Sequence, residues 1–256
     1  MFKLFFARKR IKINKINHGS HGDHWGAFFG FENLAKDQNI LLGRINRIME
    51  SKKAEKIDKQ YSIIKESLKD IDIKIIVDSQ GMSSCFPAMV SNNKIPFENK
   101  IINEWKHVDN IEAQIGGLGR KTFGLSFFAS DYLENKKIYQ QNKELEINLS
   151  GFAYVIQESK KLPDNFSEDF VSYMPNQQTK NSSIYDFFGK IIDFKEYAHE
   201  GIHGFIISTK LINHEEMEDF FVLDIFVNKQ NLKIEKPKKG MRISGCFWLQ
   251  GNIGKS

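Results

Sequence analysis

Apolar residues recur between positions 57 and 71 with the spacing of an amphipathic helix. The steps alternate between four and three residues, and polar side chains fill most of the positions between them. The apolar residues of this period are Ile57, Tyr61, Ile64, Leu68 and Ile71. Because positions three and four apart share one face of a helix, we predict a long amphipathic helix that begins near residues 42–47 and packs on a sheet.

The residues after this helix predict a short strand, a loop and a second helix. Residues 73–77 are rich in β-branched side chains, which indicates a buried strand. Residues 81–87 begin with glycine and end with proline, which favours a loop. The apolar spacing within residues 97–107 predicts a short helix.

The second half of the chain has the period of strands. Apolar and polar residues alternate from residue 145 to residue 155, as expected of a strand with one buried face. Further strands are predicted near 187–197, 203–212, 219–228 and 241–250.

These elements together predict an α+β fold of two portions. Residues 1–115 form an N-terminal α/β portion that contains the long amphipathic helix. Residues 116–256 form a mainly antiparallel β portion, with a long polar connection at 157–186. Several short strands joined by turns favour a small closed sheet, for which an OB-like barrel is one candidate.

Composition changes this picture little but limits the classes of protein. The chain has 256 residues, of which 41% are hydrophobic and 27% charged, values typical of a soluble globular protein. No apolar run approaches the roughly 18 residues of a membrane span. With only two cysteines, a disulfide framework is not expected, and we predict a cytoplasmic protein.

The net charge of +5 is concentrated at the N-terminus. Residues 1–15 contain six basic residues and no acidic one, so the rest of the chain is close to neutral. The candidates for contacts with nucleic-acid phosphates, in this arm and in a second basic cluster, are Arg8, Lys9, Arg10, Lys238, Lys239 and Arg242. A first strand with a solvated continuation, followed later by a solvated turn, is the alternative interpretation of the same residues.

Residues 199–203 spell His-Glu-Gly-Ile-His, the pattern that zinc peptidases place on a helix. On a helix, His199 and His203 would share one face and hold Zn²⁺, with Glu200 as the general base. Gly201 and Gly204 disfavour a helix, and alternating residues on both sides favour two strands with a turn between them. We therefore predict a turn, and retain a zinc-dependent hydrolase as an alternative.

A second set of histidines lies near the N-terminus. His18, His21 and His24 recur at every third position, a residue type that suits transition metals. Glycines between them favour a flexible polar loop over a helix. Metal binding here is a further alternative, and zinc is the cofactor that either histidine set would imply; otherwise we expect no cofactor.

The sequence contains no coherent set of catalytic residues, which favours a non-catalytic protein over an enzyme. The leading hypothesis is a cytoplasmic protein that binds another protein, as an immunity, adaptor or accessory factor. A single-stranded nucleic-acid-binding protein is the first alternative, and the zinc hydrolase is the second.

Overall fold

The fold is mainly β. The computed structural model describes residues 10–17, 19, 21–37, 39–159, 167, 169–217 and 220–253. Strands account for 54% of the structure and helices for 17%. The predicted α+β class is therefore wrong, and a ten-stranded mixed sheet stands where a mainly antiparallel portion with a small OB-like barrel was predicted.

The described residues form fourteen strands and four α-helices. The strands are β1 (Lys12–Ile16), β2 (Glu55–Lys56), β3 (Ser62–Leu68), β4 (Ile71–Asp78), β5 (Gly81–Met89), β6 (Lys94–Trp105), β7 (Ala113–Gly119), β8 (Phe123–Ala129), β9 (Glu144–Glu158), β10 (Ser172–Pro175), β11 (Ile184–His199), β12 (Ile202–Ile212), β13 (Phe221–Asn228) and β14 (Arg242–Ile253). The helices are α1 (Gly22–Phe29), α2 (Phe31–Lys36), α3 (Asn39–Ser51) and α4 (Tyr132–Gln141). None of these helices is long and apolar enough to cross a membrane.

The predicted long amphipathic helix does not form. Its first part coincides with α3, but the chain then passes through β2, β3 and the start of β4. Strands β3 and β4 are a hairpin in which Leu68 pairs with Ile71 across a two-residue turn. The isoleucines of this segment favour the extended chain because branching at Cβ restricts their rotamers in a helix.

The predictions for residues 81–87 and 97–107 are also wrong, since both segments are strands, β5 and β6. Strand β6 contains a register shift between Asn99 and Ile101. By contrast, the strands predicted at 73–77 and 145–155 and the four near the C-terminus are confirmed as β4, β9 and β11 to β14.

The large sheet closes into two rings of five strands. Its order is β1-β6-β7-β8-β14-β9-β13-β12-β11-β10, and β6 also pairs with β9 while β11 also pairs with β14. One ring contains β6, β7, β8, β14 and β9. The other contains β11, β12, β13, β9 and β14, so the two long strands β9 and β14 belong to both rings.

The two rings have the same connectivity. Each begins with three consecutive antiparallel strands, β6-β7-β8 or β11-β12-β13. In the first ring the third strand runs parallel to β14, and in the second it runs parallel to β9. In the first ring β14 is the parallel neighbour of the third strand and β9 is the antiparallel neighbour of the first strand. In the second ring β9 and β14 exchange these two positions.

A smaller antiparallel sheet, β2-β3-β4-β5, packs with α1 and α3 against the outside of the large sheet. Adjacent residues of the large sheet face two different cores, as the alternation of side chains in a strand requires. Phe127 and Phe247 belong to the core of the large sheet, whereas Phe128 and Trp248 pack towards the smaller sheet and the helices. This second core fixes the helices against the tip of the β11–β12 hairpin.

Two predicted boundaries fall inside elements of the structure. The division between residues 115 and 116 lies within β7. The predicted connection at 157–186 includes the end of β9, all of β10 and the start of β11. Residues 160–166 and 168 of that connection lie outside the described residues.

Candidate functional site

The histidine motif at residues 199–203 forms the tip of the β11–β12 hairpin, as the glycines predicted. His199 pairs with Ile202 around the two-residue turn Glu200-Gly201. Both turn residues have positive φ, 44° and 81°, which is the conformation of the tightest hairpin turns. His203 pairs with Ala198, so His199 and His203 lie on opposite faces of the hairpin and not on one face of a helix.

Glu200 contacts two arginines of α3. Arg44 Nη1 lies 2.7 Å from Glu200 Oε2, and Arg47 Nη2 donates a hydrogen bond of 2.9 Å to the same oxygen. Arg44 Nε also donates to Glu66 Oε2 at 2.9 Å. The hydrogen bond from Arg47, with the charges of both arginines, lowers the pKa of Glu200. The turn carboxylate is therefore held ionised between two guanidinium groups.

These groups line an open pocket of about 350 Å³ between α1, α2, α3 and the hairpin tip. The charged and polar side chains of its lining are Asn33, the two arginines and Glu200. Its apolar side chains, which we call the apolar wall, are Phe29 of α1, Ile40 of α3 and Ile202 of the hairpin tip. The pocket thus contains cationic donors together with aromatic and aliphatic side chains.

Arg44 has an unused hydrogen-bond donor. Its side chain is 9% exposed, and its Nη2 is buried without a hydrogen-bond partner. A buried donor without an acceptor costs about 1–3 kcal/mol, and more when the group is charged.

Gly43, in the middle of α3, also lines the pocket. A Cβ atom at this position would have no heavy atom within 4 Å, so no close packing requires a glycine. Glycine inside a helix costs roughly 1 kcal/mol relative to alanine. The missing side chain of Gly43 leaves this part of the pocket open.

The arrangement is suited to binding an oxyanion. Guanidinium groups present planar sets of N–H donors that match the two oxygens of a carboxylate. The residues that line this pocket are therefore suited to bind a ligand that carries a carboxylate.

The N-terminal histidines occupy a different place. His18 lies outside the described residues, while His21 and His24 lie at the start of α1, where a flexible loop was predicted. His24 stacks on Trp248 with ring centroids 3.5 Å apart. Its Nδ1 is 3.0 Å from His21 Nδ1, and His21 Nε2 is 3.0 Å from Glu112 Oε2.

This histidine pair belongs to a buried network. Ser84 Oγ donates a hydrogen bond to Glu112, which is 1% exposed. Burial, and then the neighbouring His21, holds the pKa of His24 well below its ordinary value. Within the described part of the chain, no group of three or more His, Cys, Asp or Glu side chains is placed to hold a metal ion.

The described basic candidates lie at two separate cavities. Arg8 and Lys9 lie outside the described residues, and Arg10 lines a cavity beside the end of α4. Lys238, Lys239 and Arg242 line another cavity, which also contains Glu158. Lys239 forms a 3.0 Å ion pair with Asp193.

Arg44, Arg47 and Glu66 were not predicted as site residues. Two arginines three positions apart beside a glycine are visible in the sequence, but nothing local indicates that they face a turn 150 residues later. Comparison of the chain with protein-family models, with curated proteins and with solved structures gave no match.

Proposed function

We propose that this is a non-catalytic protein that binds another protein through a carboxylate accepted by the Arg44–Arg47 pocket. One observation carries the proposal: two arginines converge on Glu200, a carboxylate on an exposed hairpin tip, inside an open pocket. The chain's own glutamate occupies the position that a partner's carboxylate would take.

The electrostatic balance of the pocket supports a carboxylate over a phosphate. Glu66 and Glu200 offset the charges of Arg44 and Arg47, so the site lacks the excess positive charge that a phosphate or a nucleic-acid backbone requires. The apolar wall beside the arginines is a feature of protein interfaces, in which arginine and aromatic residues are enriched. A monovalent carboxylate attached to an apolar segment fits both sides of the pocket.

The proposal is tested by quantitative affinity capture from native extract, with the wild-type protein and an Arg44→Met/Arg47→Met variant. We expect a partner that the wild type captures at a fixed stoichiometry and that acetate displaces, whereas chloride at equal ionic strength does not. The double variant should lose this partner. A Lys59→Met/Lys180→Met variant, which removes two charges from exposed positions, should retain it.

Folding of each variant is checked by its urea unfolding curve, so that loss of the partner is not confused with loss of structure. Retention of the partner by a folded Arg44→Met/Arg47→Met variant would overturn the proposal. Absence of any stoichiometric partner for the wild type would overturn it as well.

A further inference from the structure

We propose that the group accepted by this pocket is the carboxyl terminus of a partner chain whose last residue is apolar. This inference rests on the proposed function and specifies its ligand. A chain terminus carries a carboxylate and a side chain on the same Cα atom. The lining of the pocket likewise combines two arginines with apolar side chains.

The size of the pocket favours a chain end. Its volume of about 350 Å³ lies at the lower end of the range of roughly 300–1,000 Å³ that is typical of ligand sites. An internal aspartate or glutamate would bring backbone on both sides, which a small pocket does not accommodate. Capture of a C-terminal carboxylate is an established mode of peptide recognition.

The apolar wall selects the last side chain. Phe29 and Ile202 are 6% and 4% exposed, so both are already fixed by the second core before a ligand arrives. Ile40 completes this wall from α3. Gly43 leaves open space beside it, and this space accounts for a helix glycine that packing does not require.

The arginines can receive the new carboxylate without rebuilding the site. Arg47 is 56% exposed, and Arg44 contacts the exposed carboxylate of Glu200 through Nη1. Glu200, which is 43% exposed on a two-residue turn, competes for both. A terminal carboxylate therefore replaces contacts of Glu200 and leaves the buried Arg44–Glu66 pair intact.

The test uses isotope-labelled protein and short Gly-Ser peptides that end in leucine. One peptide has a free carboxyl terminus, the second has a terminal amide, and the third is amidated and carries one internal glutamate. We expect the free-terminus peptide to shift the amide resonances of Gly43 and Gly201 in a saturable manner. The two amidated peptides should bind about tenfold more weakly or not at all, because they lack the terminal charge.

Variants of the protein sharpen this test. Gly43→Leu should abolish binding because its side chain fills the open space, whereas Leu42→Ala, at an exposed neighbouring position, should leave binding unchanged. Glu200→Gln should strengthen binding by about two- to fivefold, the effect of one exposed ion pair. A peptide ending in free serine should bind more weakly than the one ending in leucine.

The results separate this inference from the proposed function. Equal binding of the free-terminus and amidated peptides, or no shift of Gly43 and Gly201 with any peptide, overturns the C-terminal ligand. Binding of the peptide with internal glutamate as tightly as the free-terminus peptide also overturns it. In each case the proposed function is judged independently, by loss or retention of the captured partner in the Arg44→Met/Arg47→Met variant.

Discussion

Arg44 and Arg47 contact the same carboxylate, yet they differ in what their removal does to the molecule. Arg44 is 9% exposed and also binds Glu66, whose side chain is 11% exposed. Arg47 is 56% exposed, and its distance to Glu66 is 3.9 Å. The first arginine neutralises a buried carboxylate, while the second makes a solvent-screened ion pair.

This difference predicts unequal losses of stability. Arg44→Met should lower the free energy of unfolding by about 2–3 kcal/mol, because it leaves Glu66 buried without its main partner. Arg47→Met should cost less than about 1 kcal/mol. Urea unfolding of the single variants measures both, and equal losses would show that Glu66 does not depend on Arg44.

His24 predicts a dependence of stability on pH. Its pKa in the folded protein lies below the ordinary value of about 6.5, because burial and His21 disfavour the charged ring. The unfolded chain then binds more protons than the folded one below that pH. This contribution to stability is complete above about pH 6.5 and is lost as the pH falls below it.

The measurement is urea unfolding at several pH values between about 5 and 7.5, for the wild type and for His24→Phe. Phenylalanine preserves stacking on Trp248 but cannot take up a proton, so the variant should lose less stability on acidification. His203→Gln, at an exposed position, is the matched control and should behave as the wild type. An unchanged slope in His24→Phe would contradict the assignment.

At the scale of elements, the sequence identified alternating strands well and misread strands whose alternation is broken. In β6 the register shift between Asn99 and Ile101 interrupts the alternation of the strand. Ile101 and Ile102 are therefore adjacent apolar residues, and the apolar spacing of the segment is like that of a helix. In residues 57–71 the apolar positions satisfy a helical period, but the β3–β4 hairpin buries Ile63 as well as Ile64. These segments form strands because they pair with other strands, and the periodicity of a single segment carries no information about its pairing partner.

Part of the candidate site could also be predicted from the sequence, and part of it could not. The turn at Glu200-Gly201 follows from a glycine between two alternating segments, so the sequence predicts it. Its contact with α3 does not follow, because a single sequence gives no register between elements that lie 150 residues apart. Gly43 illustrates the limit: in the sequence it only weakens a helix, and its place in the pocket needs the structure.

Helix α3 itself offers a direct test. Gly43→Ala should raise the free energy of unfolding by roughly 1 kcal/mol, because alanine is the better helix former and its Cβ meets no atom. Gly204→Ala is the contrasting variant, since a Cβ there would collide with the carbonyl oxygen of Val227 and should destabilise β12. Thermal unfolding of both variants measures the difference, and a destabilised Gly43→Ala would mean that this position is not open.

At the scale of the whole molecule, the two rings depend on each other. The first ring takes β14 from the end of the chain, and the second takes β9 from the middle. Neither ring is complete without a strand that the other also uses. We therefore expect the rings to unfold in one cooperative transition.

A fragment tests this coupling. Residues 116–256, expressed alone, keep the five strands of the second ring but lack β6 and the first three residues of β7, so they cannot close the first ring. We expect this fragment to show no cooperative unfolding in urea by circular dichroism, whereas the full chain shows a single transition. A sharp transition in the fragment would instead show that the second of the two portions predicted from the sequence folds without the first.

The exchanged roles of β9 and β14 have a consequence for how such a molecule can be assembled. The segment from Lys94 to Glu158 contains four of the five strands of the first ring and α4. Two copies of that segment, related by a twofold axis, would each supply β9 to the other and complete both rings. The present chain thus has, within a single chain, the topology of a strand-exchanged homodimer. Each half of such a dimer is complete only when the other half supplies a strand.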